Sequence, residues 1–89
     1  MHLSQQQLDL ARALGERVRE AREAALLRQD ELAFAAGVST RLVHQVEAGK
    51  PTTRLDGLLK ILQALGLTLE IAERPLRREA PPSQDLAGE

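Results

Sequence analysis

The 89-residue sequence predicts a mainly α fold: a bundle of four to five helices around a helix-turn-helix, with one C-terminal β-strand that pairs across a homodimer. Three observations carry this expectation. Apolar residues recur every three or four positions from Leu8 to Leu65, in segments separated by turn residues. The stretch Gln29 to Ala48, QDELAFAAGVSTRLVHQVEA, holds two such segments on either side of Gly37. After Gly66 the apolar period drops to two, which is the mark of a strand.

Composition sets the frame for these elements. With 43% hydrophobic and 28% charged residues, the chain fits one small soluble domain over residues 1–72 and a flexible tail over 73–89. A single Phe, with no Trp and no Tyr, leaves the core to Leu, Val, Ile and Ala, and so small a core favours oligomerisation. The chain has no cysteine, and its N-terminus lacks the basic start and apolar run of a secretory signal, so a cytoplasmic protein is expected. No stretch approaches the roughly 20 apolar residues that cross a bilayer, and no membrane contact is expected.

The first helix should run from about Gln5 to Leu26, capped by Ser4, with Leu8, Ala11, Leu14, Val18, Ala21 and Ala25 as its inner stripe. Gly15 interrupts that stripe at a cost of about 1 kcal/mol, so two shorter helices are the alternative. Its charged face, with Arg12, Glu16, Arg19 and Glu23, reads as a solvated surface held by i,i+4 pairs. The second helix begins near Gln29 and places Leu32, Ala33 and Ala36 inward. Gly37 suits a left-handed position after it, Ser39 caps the third helix, and only Val38 lies between them, so the turn is sharp.

The third helix should cover about Thr40 to Ala48, with Leu42, Val43 and Val46 inward and Gly49 and Pro51 as stops. Thr53 and Asp56 have the spacing of a capping box for a fourth helix, whose stripe is Leu55, Leu58, Leu59, Leu62 and Leu65. In the segment that follows, Leu67, Leu69 and Ile71 alternate with Thr68 and Glu70, the pattern of a half-buried strand from Leu67 to Ala72. A lone strand leaves its backbone groups unpaired, so the same strand of a second copy is the economical partner. The alternative is an extended arm lying on the fourth helix. The tail, ERPLRREAPPSQDLAGE, has three of the four prolines and too little apolar surface to fold alone, with Leu76 and Leu86 as possible anchors on a partner.

The run from Leu14 to Leu65, with QDELAFAAGVS followed by VEAGK, resembles the Xre/Cro/C1-type helix-turn-helix family of phage repressors and antitoxins. The resemblance implies a lambda-repressor-like bundle. More narrowly, KPTTRLDGLLKILQALGLTLEI is similar to the HipB-type antitoxins of HipBA toxin-antitoxin systems, which implies a repressor of its own operon that also restrains a HipA-type kinase toxin. Two positions depart from the family pattern. Arg28 stands where Thr or Ser usually caps the second helix, leaving it free to meet a phosphate, and Leu26 replaces a usual glycine. The resemblance further implies that Gln29 grips a phosphate and braces the recognition helix beside Thr40, and that Arg22 and Glu47 form an ion pair between the first and third helices.

These residue types fit nucleic-acid chemistry. A helix fits the major groove, and one capped by Ser39 presents its first residues to base edges, with Thr40, Arg41, His44 and Gln45 outward. Arg41 can form a bidentate pair with guanine, and Gln45 with adenine. Lys50 and Arg54, on either side of the loop after the third helix, suit phosphates. The net charge of −1 argues mildly against such a role, but from Ser39 to Gly66 Arg41, Lys50, Arg54 and Lys60 face only Glu47 and Asp56. One copy offers few base contacts, so a homodimer joined through Leu67, Leu69 and Ile71 on a palindromic double-stranded operator is expected. His44 and His2 lack the neighbours of a metal site, and no nucleophile has a base beside it, so no enzyme, metal or cofactor is expected. The competing functions are a free-standing phage-type repressor without a toxin, and a protein-interaction module with little DNA binding.

Overall fold

The computed structural model describes residues 2–73, which form four helices in order: α1 (Gln5–Ala24), α2 (Gln29–Ala36), α3 (Thr40–Glu47) and α4 (Leu55–Ala64). At the start of α1, Ser4 Oγ accepts from the Gln7 amide at 3.2 Å and Gln7 Oε1 accepts from the Ser4 amide at 2.8 Å, a complete capping box. The helix then runs unbroken through Gly15, so the alternative of two shorter helices is not adopted. The glycine is there for clearance. A Cβ at position 15 would overlap the Val46 carbonyl oxygen and lie 3.0 Å from that of Glu47, so its absence lets α1 rest against the end of α3.

Helix α1 stops at Ala24, two residues short of the expected Leu26. The Leu27 amide donates to the Arg22 carbonyl at 3.1 Å and the Leu26 amide to that of Glu23 at 2.9 Å, which requires Leu26 to be left-handed, at φ 61°. A residue with a Cβ holds that conformation at a cost of about 1 kcal/mol, and Leu26, 89% exposed, recovers little of it by burial. Leu26→Gly is therefore expected to raise stability by about 1 kcal/mol, seen as a higher urea midpoint at unchanged slope.

The central turn forms as its residues dictate. Gly37 adopts φ 74° and ψ 34°, the Val38 amide donates back to Ala33 at 3.0 Å, and Ser39 Oγ accepts from the Leu42 amide at 3.1 Å. Ala33, Val43 and Val46 are buried and Val38 partly so, which fills the angle between α2 and α3.

At α4 the expected capping box does not form. Thr53 Oγ1 donates to the Lys50 carbonyl at 2.9 Å, closing the preceding loop, and Arg54 occupies the cap position with no side-chain cap. The buried stripe is also turned from expectation. Leu58, Ile61 and Leu62 face the core, whereas Leu55 and Leu59 are 60% and 45% exposed. The five-leucine pattern was wider than the face that one neighbouring layer can cover. Val18, Leu32, Ala33, Val43, Val46, Leu58, Ile61 and Leu62 make the core, all aliphatic, with α3 packed against each of the other helices.

Beyond α4 no strand forms among the described residues. Leu67 packs against the core, Leu69 is half exposed and Ile71 is 98% exposed. Alternation gives a segment two faces, but a ladder needs a second backbone, and none lies alongside among the described residues. Residues 74–89, with Leu76 and Leu86, lie outside the described residues, and so does most of the expected tail. Among the described residues no helix is long and apolar enough to cross a membrane.

Candidate nucleic-acid interface

The third helix is held in place by one polar network. Arg22 of α1 donates to both carboxylate oxygens of Glu47 at the end of α3, from Nε at 2.6 Å and Nη2 at 3.0 Å, and its Nη1 donates to the Leu27 carbonyl at 2.7 Å. The side chains are 12% and 5% exposed. Gln29, first residue of α2, adds a third bond from Nε2 to Glu47 Oε1 at 3.1 Å. Three helices thus converge on one carboxylate. Burial pushes the Glu47 pKa up, but the hydrogen bonds from Arg22 and Gln29 outweigh it and hold the group below its ordinary value.

With Glu47 as anchor, α3 turns Val43 and Val46 into the core and leaves Thr40, Arg41 and His44 exposed on the opposite face, with Gln45 half-buried beside them. Ser39 serves that face through its cap. The four residues expected to meet base edges therefore share one side of one helix. Among the described residues Arg41 and Lys50 are in no salt bridge, whereas Arg12, Arg19, Arg22, Arg28 and Arg54 each are.

Three expectations at the rim change. Arg28 is not free: its guanidinium meets Asp30 at 3.1 Å and Glu31 at 3.4 Å, while its amide donates to Glu31 Oε1 at 2.8 Å in place of a side-chain cap. Gln29 does brace the third helix, but at Glu47 and not beside Thr40, because the buried carboxylate is the strongest acceptor within reach. Arg54 is likewise engaged, with Asp56 at 2.9 Å.

A cleft of about 450 Å³ opens beside this network, lined by Arg19, Arg22, Gln29, His44, Glu47 and Ala48. Sequence reasoning left Arg19 on a solvated face, and it is exposed and paired with Glu23 at 3.2 Å. Its spacing of three from Arg22 was the signal that the same face of α1 looks toward α3.

Comparison with known proteins agrees with this geometry. The family described as Helix-turn-helix matches residues 18–71, from the middle of α1 to the segment after α4. A protein of Sinorhizobium fredii (strain NBRC 101917 / NGR234), described as the uncharacterized HTH-type transcriptional regulator y4mF, is 44% identical over 66 residues, which are 74% of this chain and 87% of the relative. Matched over more than half its length, the chain belongs to the helix-turn-helix family of DNA-binding transcriptional regulators, of the Xre/Cro/C1 type.

Proposed function

We propose that the protein is a homodimeric transcriptional repressor that reads a palindromic double-stranded operator through the Thr40, Arg41, His44 and Gln45 face of each copy. The observation that carries this is Arg41: a long cation in the first turn of the presented helix, exposed and in no salt bridge among the described residues. An unpaired guanidinium at that place suits guanine, while Lys50, equally unengaged, suits a phosphate. The half-sites would lie about one helical turn apart, roughly 34 Å. No catalytic role is assigned, and the protein acts in the cytoplasm.

We assign the pairing of the two copies to the segment Leu67 to Ala72, in which Leu69 is half exposed and Ile71 almost fully exposed among the described residues. Paired antiparallel with its copy, this segment would satisfy its backbone and bury both. Truncation before Leu67 is expected to give monomers in sedimentation and operator binding weaker by at least tenfold; a truncated protein that stays dimeric places the joining surface elsewhere.

The narrower likeness to HipB-type antitoxins supports autoregulation of an operon shared with a HipA-type kinase toxin that this protein restrains. A second reading, a protein-interaction module with little DNA binding, draws on Phe34, the only aromatic side chain, 91% exposed on α2. Titration with the protein's own upstream DNA from about 50 to about 200 mM salt separates the two. Tight binding that weakens steeply with salt supports the repressor; weak binding even at low salt, with a co-expressed partner still bound, supports the module. A kinase that co-purifies in stoichiometric amount supports the antitoxin, and its absence a free-standing repressor.

A further inference from the structure

Helices α2 and α4 both pack on α3, and both open with the same device. Each has arginine at the cap position and aspartate two residues on: Arg28-Gln29-Asp30 and Arg54-Leu55-Asp56. The contacts to aspartate also match atom for atom, and Arg28 has a second carboxylate besides, Glu31 at 3.4 Å from Nη1. Arg28 donates from Nε to Asp30 Oδ1 at 3.1 Å and from Nη2 to Oδ2 at 3.5 Å; Arg54 donates from Nε to Asp56 Oδ1 at 3.1 Å and from Nη2 to Oδ2 at 2.9 Å. Arginine cannot cap a helix with its side chain, since it has no acceptor. An aspartate in the first turn would favour the helix dipole without any fork. The geometry does something more: it occupies the guanidinium planes that fit phosphate.

All four side chains are exposed, so each pair exchanges readily for another anion. That makes the carboxylate a competitor rather than a lock. Held two residues away, it is present at high effective concentration, and a phosphate displaces it only where other contacts keep that phosphate in place. An operator docked on Arg41 and Gln45 meets this condition. Random DNA, held only by charge, does not.

We propose that Asp30 and Asp56 are specificity-determining residues, which hold Arg28 and Arg54 away from the phosphates of non-operator DNA. The proposal rests on the DNA-reading function assigned above. The arginines that open α2 and α4 are thereby withheld from long-range attraction, in keeping with a net charge of −1. The guanidinium beside each carboxyl holds Asp30 and Asp56 below the usual carboxylate range, so both stay charged at neutral pH.

The test is an anisotropy titration of the full chain with two labelled duplexes, its own upstream DNA and a random sequence, between about 50 and about 200 mM salt. Asp30→Asn with Asp56→Asn should bind random DNA about tenfold more tightly at the lowest salt, with a salt slope steeper by about one to two, the lower figure if Glu31 keeps Arg28, while the preference for upstream DNA falls. Adding Arg28→Ala and Arg54→Ala to that variant should abolish the gain. Because the quadruple variant has the net charge of the wild type, Glu16→Gln with Glu20→Gln is the charge control: both residues are exposed and in no salt bridge among the described residues. An equal gain from them, or a gain that survives without the arginines, means that general charge explains the effect and overturns the proposal. It is overturned equally if the wild type holds upstream DNA and the asparagine variant, folded by circular dichroism, binds random DNA no better. Failure of every variant to bind either duplex overturns the DNA reading itself. Should the paired substitution unfold the chain, Asp56→Asn alone should steepen the slope by about one, and Asp30→Asn by less, since Glu31 still holds Arg28.

Discussion

Glu47→Ala is expected to destabilise the protein by about 3 kcal/mol, the cost of leaving a largely buried charge without its partner. Arg22 would keep only the Leu27 carbonyl, and Gln29 would lose its acceptor, so the joints of α1 and α2 to α3 would loosen together. Urea denaturation measures this directly. A loss within about 0.5 kcal/mol, that of an ordinary surface substitution, would mean that solvent already screens the pair. The same network predicts a pH dependence. Because the folded protein holds Glu47 below its ordinary value of 4.5, the carboxylate stabilises fully above that value. The contribution is lost as pH falls through the lower folded-state pKa. Glu47→Gln lacks this component, so its urea midpoint should approach that of the wild type as pH drops below 4.5.

Arg41→Ala is expected to cost about 1–3 kcal/mol of discrimination between the upstream duplex and random DNA, with folding and dimerisation unchanged. The side chain is exposed and in no salt bridge among the described residues, so its removal leaves no partner stranded and opens no cavity. Competition between the two duplexes at fixed salt reads the effect. An unchanged preference would remove Arg41 from the reading surface and shift attention to Gln45. Arg28 and Arg54 should behave differently, since each must first leave a carboxylate.

Much of the architecture was readable from short stretches. Ser4, Gly37 and Ser39 act through bonds that span five residues or fewer, so the start of α1 and the turn between α2 and α3 follow from local chemistry. The presented face of α3 followed from the same logic, since inward Val43 and Val46 leave Thr40, Arg41 and His44 on the other side. The fourth helix was harder. Its leucines outnumber the positions a single neighbouring layer covers, and periodicity alone did not show that Ile61 would go inside and Leu55 outside. The strand fared worst, because alternation specifies faces and a ladder depends on a partner backbone.

The sequence by itself determined the helical class, the helix-turn-helix and the residues that α3 presents, because each depends on near neighbours and on a repeating apolar period. It also marked Arg22 and Glu47 as a pair, through a family pattern. Only the tertiary structure decided that Gly15 is a point of close approach, that Gln29 reaches Glu47, and that Arg28 and Arg54 are already engaged by aspartates. Gly15 is a matter of how closely two helices pack, and the other two are a matter of which partner a side chain takes. A helix surface offers several partners within reach of a long side chain, and which one is taken depends on distances between packed helices and on competing charges, neither of which a residue's spacing along the chain contains.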